Sequence, residues 1–222
     1  MNFLSIFDVI GPNMIGPSSS HTAGAVSMAL LARKLFPEPL KKVTFTLYGS
    51  FSHTYHGHGT DRALLGGMLG FPTDDPRIRD AFDHAKAMGV EYEYIIDPDT
   101  LTDHPNTADM HMVGVNGAEM VIRGVSIGGG KVKIVRIGAI DVEFTGEYST
   151  LIVKQLDTPG VVAHITKCLA DQNVNIAFMR LFRDDKGATA YTVVESDHTI
   201  PESILEAIKQ NPNINELMLI QI

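Results

Sequence analysis

Two short segments of this 222-residue chain concentrate the side chains that could do chemistry. The first, IGPSSSHTAG over residues 15–24, places three serines and His21 in front of an apolar, helix-like stretch. Free N–H groups and the dipole at a helix start favour an anion, and neighbouring hydroxyls add donors. An ordinary helix cap with spare serines is the alternative. Three serines beside a histidine favour a carboxylate or phosphate site.

The second segment, YGSFSHTYHGHGTD over residues 48–61, contains three histidines within six residues. His58 lies between two glycines, which let a substrate approach its ring closely. The ordinary pKa of imidazole is about 6.5, so a histidine here suits general acid or base catalysis. The spacing differs from the i, i+4 pair of helical zinc sites, and solvated loop positions are the simpler interpretation of His53 and His56.

A third candidate is the stretch SIGGG over residues 126–130. Ser126 with Gly128, Gly129 and Gly130 could form a backbone nest for an anion. A hairpin connection explains the glycines as well, and the spacing alone favours it. The sequence DHPNT over residues 103–107 predicts only a turn.

The elements that must position these segments predict a mixed α/β or α+β domain over residues 1–146. A helix from His21 to Leu35 begins at the serine segment, and a strand over 43–47 leads into the histidine segment. Two more helices are predicted over 61–69 and 75–88, and further strands near 91–96, 109–115, 120–125 and 131–144.

The pattern becomes more regular over residues 147–222. Its predicted order is strand, helix, strand, strand, helix, strand, which is the ferredoxin-like βαββαβ unit. A hairpin is predicted at 184–187. The four strands are expected over 149–155, 174–178, 190–196 and 214–222, with helices beginning near 161 and 201.

Composition excludes several classes of function. Eighteen Lys and Arg against 26 Asp and Glu give a net charge of −8, which opposes nucleic-acid binding. The longest near-apolar run, residues 25–32, is far shorter than the roughly 20 residues that span a bilayer, and no secretory signal is visible. We therefore expect a soluble, cytoplasmic protein. The single cysteine, Cys168, excludes an internal disulfide, a four-cysteine zinc site and a complete iron–sulfur ligand set within this chain.

The motifs IGPSSSHT (15–22), GHGTD (57–61) and SIGGG (126–130) together resemble the iron–sulfur-dependent L-serine dehydratases, especially the separate β subunit of their two-chain form. The resemblance covers the whole chain. Residues 1–146 resemble the β domain of that family, related in fold to an allosteric substrate-binding domain of some phosphoglycerate dehydrogenases. Residues 147–222 are similar to an ACT domain, an amino-acid-responsive regulatory fold.

The resemblance implies β-elimination of L-serine to pyruvate and ammonia with a [4Fe-4S] cluster and without pyridoxal phosphate. It assigns the general base to His58. It places substrate-binding groups at Ser19, His21, Thr22, Thr60 and Asp61. In the ACT domain it points to an effector site at Asp157, Gly160, Asn173 and Asn175.

The cysteine count then indicates where the cluster belongs. A [4Fe-4S] cluster usually needs four thiolates, and Cys168 lies on the apolar face of a predicted helix. We therefore expect the cluster on a partner α subunit, whose active site this chain completes, and we expect no activity from this chain alone. A homodimer through residues 147–222 is expected by fold analogy.

The sequence leaves two alternatives open. The chain could be a purely regulatory subunit that binds an amino acid through the ACT domain and has no catalytic residue. It could also be a zinc hydrolase that uses His53, His56 and His58.

Overall fold

A computed structural model describes residues 13–183 and 185–221. The chain divides into two compact units, Met1–Gly138 and Ala139–Ile222. Residues 139–146 thus belong with the second unit, whereas the change in composition suggested a boundary after residue 146. A strand within this stretch packs beside strands of the second unit.

Unit 1 begins with a π-helical turn, Ser19–Ala23, that runs directly into helix α1 (Gly24–Leu35). The other α-helices of its described part are α2 (Gly49–Thr54), α3 (Thr60–Met68) and α4 (Ala81–Met88). The strands of its sheet are β1 (Leu40–Tyr48), β2 (Glu91–Asp97), β3 (Thr107–Gly114), β4 (Glu119–Gly128) and β5 (Lys131–Ile137).

In the sheet of unit 1 these strands lie side by side in the order β2-β1-β3-β4-β5. Strands β1 and β2 are parallel, whereas β3, β4 and β5 join by antiparallel pairing. Alternate residues of β1 are buried, with Val43, Phe45 and Leu47 inaccessible, because side chains along a strand point to opposite faces. Helix α1 packs on α3 and on strands β4 and β5, so the start of α1 is fixed against this sheet.

Two predicted elements of unit 1 are each divided in the structure. The stretch predicted as one helix over 75–88 is a 3-10 turn, Pro76–Asp80, followed by α4. Asp80 separates them because its backbone lies outside the helical region, at φ −115° and ψ 28°. The predicted strand over 131–144 is interrupted at Gly138, which has φ +59°.

Unit 2 contains strand β6 (Ile140–Phe144) and then the elements of a ferredoxin-like fold. These are β7 (Ser149–Leu156), α5 (Val161–Asp171), β8 (Phe178–Arg183), β9 (Thr189–Ser196), α6 (Ser203–Lys209) and β10 (Ile214–Ile220). The four strands β10-β7-β9-β8 form an antiparallel sheet in that order. The predicted fold class, a mixed α/β chain with a ferredoxin-like second unit, is confirmed.

One predicted strand of unit 2 was placed wrongly. The alternation of Val174, Ile176 and Phe178 suggested pairing, but the strand begins only at Phe178. Asn173 has φ +54° and turns the chain at the end of α5, where the Val174 N–H donates to the Leu169 carbonyl. Val174 is therefore buried by packing after a helix. Asp184 of the predicted hairpin lies outside the described residues.

Candidate active site

The serine segment is shaped by its own hydrogen bonds. The Ser18 hydroxyl accepts a 3.0 Å bond from the His21 N–H and caps the π-helical turn. The cap interpretation thus fits Ser18, whereas Ser19 and Ser20 are half-buried in the turn. The turn brings His21 and Thr22 to face the histidine segment.

His21 lies between Ser50 and His58. Its Nε2 is 2.8 Å from the Ser50 hydroxyl, and its ring centroid is 4.7 Å from that of His58. Burial, and then the neighbouring His58, lower the pKa of His21. His21 is therefore neutral at pH 7 and can exchange hydrogen bonds with Ser50.

The backbone of His58 is fixed on both sides. The Thr22 hydroxyl donates a 2.8 Å hydrogen bond to the His58 carbonyl, and the His58 N–H donates to the Thr54 carbonyl at 3.1 Å. The Nδ1 atom of His58 is buried and has no hydrogen-bond partner among the described residues. Buried polar atoms are normally hydrogen-bonded, so this atom is available to a substrate or to a bound water.

The helix after the glycines begins with two buried polar residues. Thr60 is inaccessible, and its hydroxyl has no partner in the described part of the chain. The Asp61 carboxylate is also buried, and one of its oxygens lies 2.8 Å from Nδ1 of His56. The other oxygen accepts the Arg62 N–H at 2.8 Å. Sequence patterns alone missed this role of His56, although an aspartate five residues after a histidine at a helix start was the available signal.

A cavity of about 310 Å³ opens between the two motifs. Thr22 lines it from the serine segment, and His56 and His58 line it from the histidine segment. Arg62 and Arg79 complete its wall. Two histidines and two cationic side chains around one cavity suit proton transfer on an anionic substrate.

The SIGGG segment meets the serine segment through one residue. The buried Ser126 hydroxyl donates a 2.9 Å bond to the Ser20 carbonyl. Gly129 and Gly130, with φ +61° and +79°, are the central residues of the tight turn between β4 and β5, which requires positive φ at both positions. Gly128 directly precedes that turn. Anion binding by these three glycines stays a prediction.

The DHPNT turn also belongs to this region, which its sequence did not indicate. The Pro105 carbonyl accepts the Ser50 N–H at 2.7 Å, and Asn106 exchanges backbone and side-chain bonds with Ser126. The side-chain oxygen of Asn106 is buried without a partner among the described residues. Burial lowers the pKa of His104, the histidine of this turn. The turn thus supports both Ser50 and Ser126.

The three histidines of the second motif do not converge. Nδ1 of His53 lies 2.7 Å from the Gly49 carbonyl, whereas His56 is paired with Asp61. Within residues 13–183 and 185–221, no group of three or more His, Cys, Asp or Glu side chains stands close enough to hold a metal ion. This finding counts against the zinc-hydrolase alternative.

Cys168 is a core residue of α5 in unit 2. Its Sγ lies 3.7 Å from Nε2 of His164, and that nitrogen also contacts the Ile208 carbonyl at 3.1 Å. Burial raises the pKa of the Cys168 thiol, which keeps it protonated at neutral pH. One buried thiol does not fit a [4Fe-4S] cluster, which is held by several thiolates.

The four predicted effector residues lie at opposite ends of α5. Asp157 and Gly160 precede the helix, and the Asp157 carboxylate accepts from the Gly187 N–H at 3.2 Å and from Arg183 at 3.1 Å. Both bonds lower the pKa of Asp157, the one from the Gly187 N–H more than the one from Arg183. Asn173 and Asn175 follow the 11-residue helix, about 16 Å away. A single chain therefore does not bring the four together.

Comparison with known proteins identifies the family. The sequence model of the serine dehydratase beta chain matches residues 5–91, and that of the ACT domain matches residues 149–213. A probable L-serine dehydratase beta chain from Bacillus subtilis is 40% identical over 214 residues, which cover 96% of each chain. The chain belongs to the L-serine dehydratase beta-chain family.

Two further relatives agree with this assignment. The L-serine dehydratase beta chain of Peptoniphilus asaccharolyticus is 42% identical over 210 residues, or 94% of each chain. An L-serine dehydratase of Streptomyces coelicolor is 45% identical over 82 residues, which are 35% of this beta chain and 17% of that protein. None of the described helices of the beta chain is both long and apolar enough to cross a membrane.

Proposed function

We propose that this beta chain is one part of an iron–sulfur-dependent L-serine dehydratase that converts L-serine to pyruvate and ammonia by β-elimination. In this proposal a partner α subunit holds the [4Fe-4S] cluster, and the beta chain is inactive alone. The membership of the family supports the reaction class. The presence of one buried, protonated cysteine supports a cluster outside this chain. We also propose a cytoplasmic location, where the thiols of such a partner stay reduced.

In this proposal the residues of the beta chain transfer protons, and the partner supplies the cluster. The imidazole of His58 takes the proton from Cα of serine. The electron pair of the broken carbon–hydrogen bond forms the new carbon–carbon double bond as hydroxide leaves Cβ. The resulting aminoacrylate then tautomerises and hydrolyses to pyruvate and ammonia.

One observation carries the assignment of His58. The serine segment and the histidine segment meet at this residue, where Thr22 bonds its carbonyl and the ring of His21 contacts its ring. The hydroxyl of Thr22 donates to the His58 backbone, so we assign to Thr22 the positioning of the base. Substrate binding by Ser19 and Thr60 stays part of the proposal, whereas both carboxylate oxygens of Asp61 are bonded within the chain, to His56 and to the Arg62 N–H.

The experiment is a reconstitution under anaerobic conditions. The beta chain, its partner subunit and the mixture are each assayed for pyruvate formation from L-serine. The proposal expects turnover only in the mixture and a cluster absorbance that purifies with the partner. Turnover by the beta chain alone, or a cluster retained on it, would contradict the proposal.

Residues 147–222 carry a second part of the proposal. The match to the ACT domain supports binding of a small amino acid effector and self-association through this region. Light scattering on the full-length chain then gives about twice the mass of the 24.2 kDa monomer. A monomer at assay concentration that does not respond to added amino acids would contradict this second part of the proposal. It would leave the proposed reaction unaffected.

A further inference from the structure

His56 is an exposed residue held by a buried carboxylate. Its side chain is 76% exposed, whereas the side chain of its partner Asp61 is only 7% exposed. Both oxygens of Asp61 are used, one by Nδ1 of His56 and the other by the Arg62 N–H. The ring of His56 is therefore oriented from its Nδ1 side, and its Nε2 has no partner among the described residues.

This arrangement has chemical consequences because His56 and His58 line the same cavity. An aspartate bonded to one nitrogen of a histidine fixes the tautomer and the orientation of the ring, and it leaves the other nitrogen available to exchange a proton. His21, the other ring beside His58, has a lowered pKa and is a poor proton acceptor. Of these neighbours, His56 combines a carboxylate partner with direct access to solvent.

We propose that His56, oriented by Asp61, carries protons between His58 and solvent. This inference rests on the proposed function, in which His58 takes the α-proton of serine. The proton on His58 then passes through water to Nε2 of His56 and from there to solvent. The departing hydroxide takes one proton from solvent and becomes water, so the protons balance in each turnover.

A purely structural role makes a different prediction. If the pair only ties the loop to α3, any side chain that still donates to Asp61 preserves activity. His56→Gln is the informative variant because its amide can donate to the carboxylate but cannot carry a proton. His53→Gln is the matched control, since His53 is an exposed histidine of the same segment that does not line the cavity.

The experiment measures kcat and KM of the reconstituted complex in dilute buffer, with and without added imidazole. We expect His56→Gln to lower kcat ~10-fold or more with KM unchanged, and imidazole to restore most of the loss. His53→Gln is expected to match the unaltered complex, with no response to imidazole. His56→Ala, at the same exposed position, repeats the test if the glutamine variant folds poorly by circular dichroism.

The outcomes separate this inference from the proposed function. A His56→Gln complex with unaltered kcat, or with a loss that imidazole does not relieve, would overturn the proton-carrier role. If His58→Gln is inactive in the same series, the proposed base stands independently. Full activity of His58→Gln would instead overturn the proposed function itself.

Discussion

The hydroxyl of Thr22 donates a 2.8 Å hydrogen bond to the backbone carbonyl of His58, 36 positions further along the chain. This bond joins the two motifs that the sequence shows only as separate segments. Thr22 is itself buried at the junction of the π-helical turn and α1. The position of the proposed base therefore depends on the serine segment as much as on its own loop.

Replacement of Thr22 tests this dependence. Thr22→Val keeps the shape of the side chain but leaves the His58 carbonyl without its donor. We expect the free energy of unfolding of the beta chain to fall by about 1–3 kcal/mol, measured by urea denaturation. In the reconstituted complex kcat should fall as well. Thr22→Ser retains the hydroxyl and is expected to keep most of both quantities; equal losses in the two variants would contradict the role of the bond.

The lowered pKa of His21 predicts how stability depends on pH. The unfolded chain protonates His21 near its ordinary pKa of about 6.5, whereas burial holds the folded form neutral to lower pH. Stability is therefore fully present above about pH 6.5 and declines as pH falls through the folded pKa. The pKa of His104 is also lowered by burial, so this residue adds to the same loss of stability at low pH. Urea denaturation between about pH 8 and pH 5 checks the slope, which His21→Gln should reduce; a stability that rises on acidification would contradict it.

A close contact between Gly24 and Ser126 predicts a coupled pair of variants. A Cβ at Gly24 would overlap the Ser126 hydroxyl, although the backbone of Gly24 is helical and suits alanine. We expect Gly24→Ala to cost about 1–3 kcal/mol because it overpacks this contact. Adding Ser126→Gly should recover part of the loss, so that the double variant is less destabilised than the sum of the single ones. If the losses in the free energy of unfolding of the two single variants simply add in the double variant, as measured by urea denaturation, the two side chains are not in contact.

The core position of Cys168 predicts that the thiol is dispensable for chemistry. Cys168→Ala should lower the free energy of unfolding by roughly 1 kcal/mol, the usual cost of a modest core truncation. The reconstituted complex should keep its cluster absorbance and its kcat. A lost or shifted cluster spectrum in this variant would place the thiol at the cluster and contradict the assignment of the cluster to the partner.

The fold was predictable where one pattern acted alone. The spacing of apolar residues correctly indicated α5, and alternation correctly indicated β1. The stop at Phe36-Pro37 correctly marked the end of α1, and a composition rich in Thr and Val correctly indicated β9. Alternation failed at Val174, because a residue that packs after a helix end can mimic a strand. The sequence predicts one helix over 75–88 because no propensity signal marks the non-helical backbone of Asp80, which divides it.

The site was predictable only in part, for a physical reason. Residue types and spacing pointed to His58 and His21, and the family resemblance gave them their roles. The bond between His21 and Ser50 and the support of Ser50 by Pro105 join residues far apart in sequence, so only the folded chain shows them. The sequence favours a solvated loop position for His56, because its pairing with buried Asp61 is visible only in the folded chain.

The turnover of a reconstituted complex that carries His58→Gln tests the central claim most directly. The glutamine keeps a polar side chain of similar reach but cannot accept the α-proton of serine. The account predicts that pyruvate formation falls by a factor of about 100 or more while the cluster absorbance and the assembly with the partner stay unchanged. Turnover near that of the unaltered complex would contradict the account and would favour a beta chain whose role is purely regulatory.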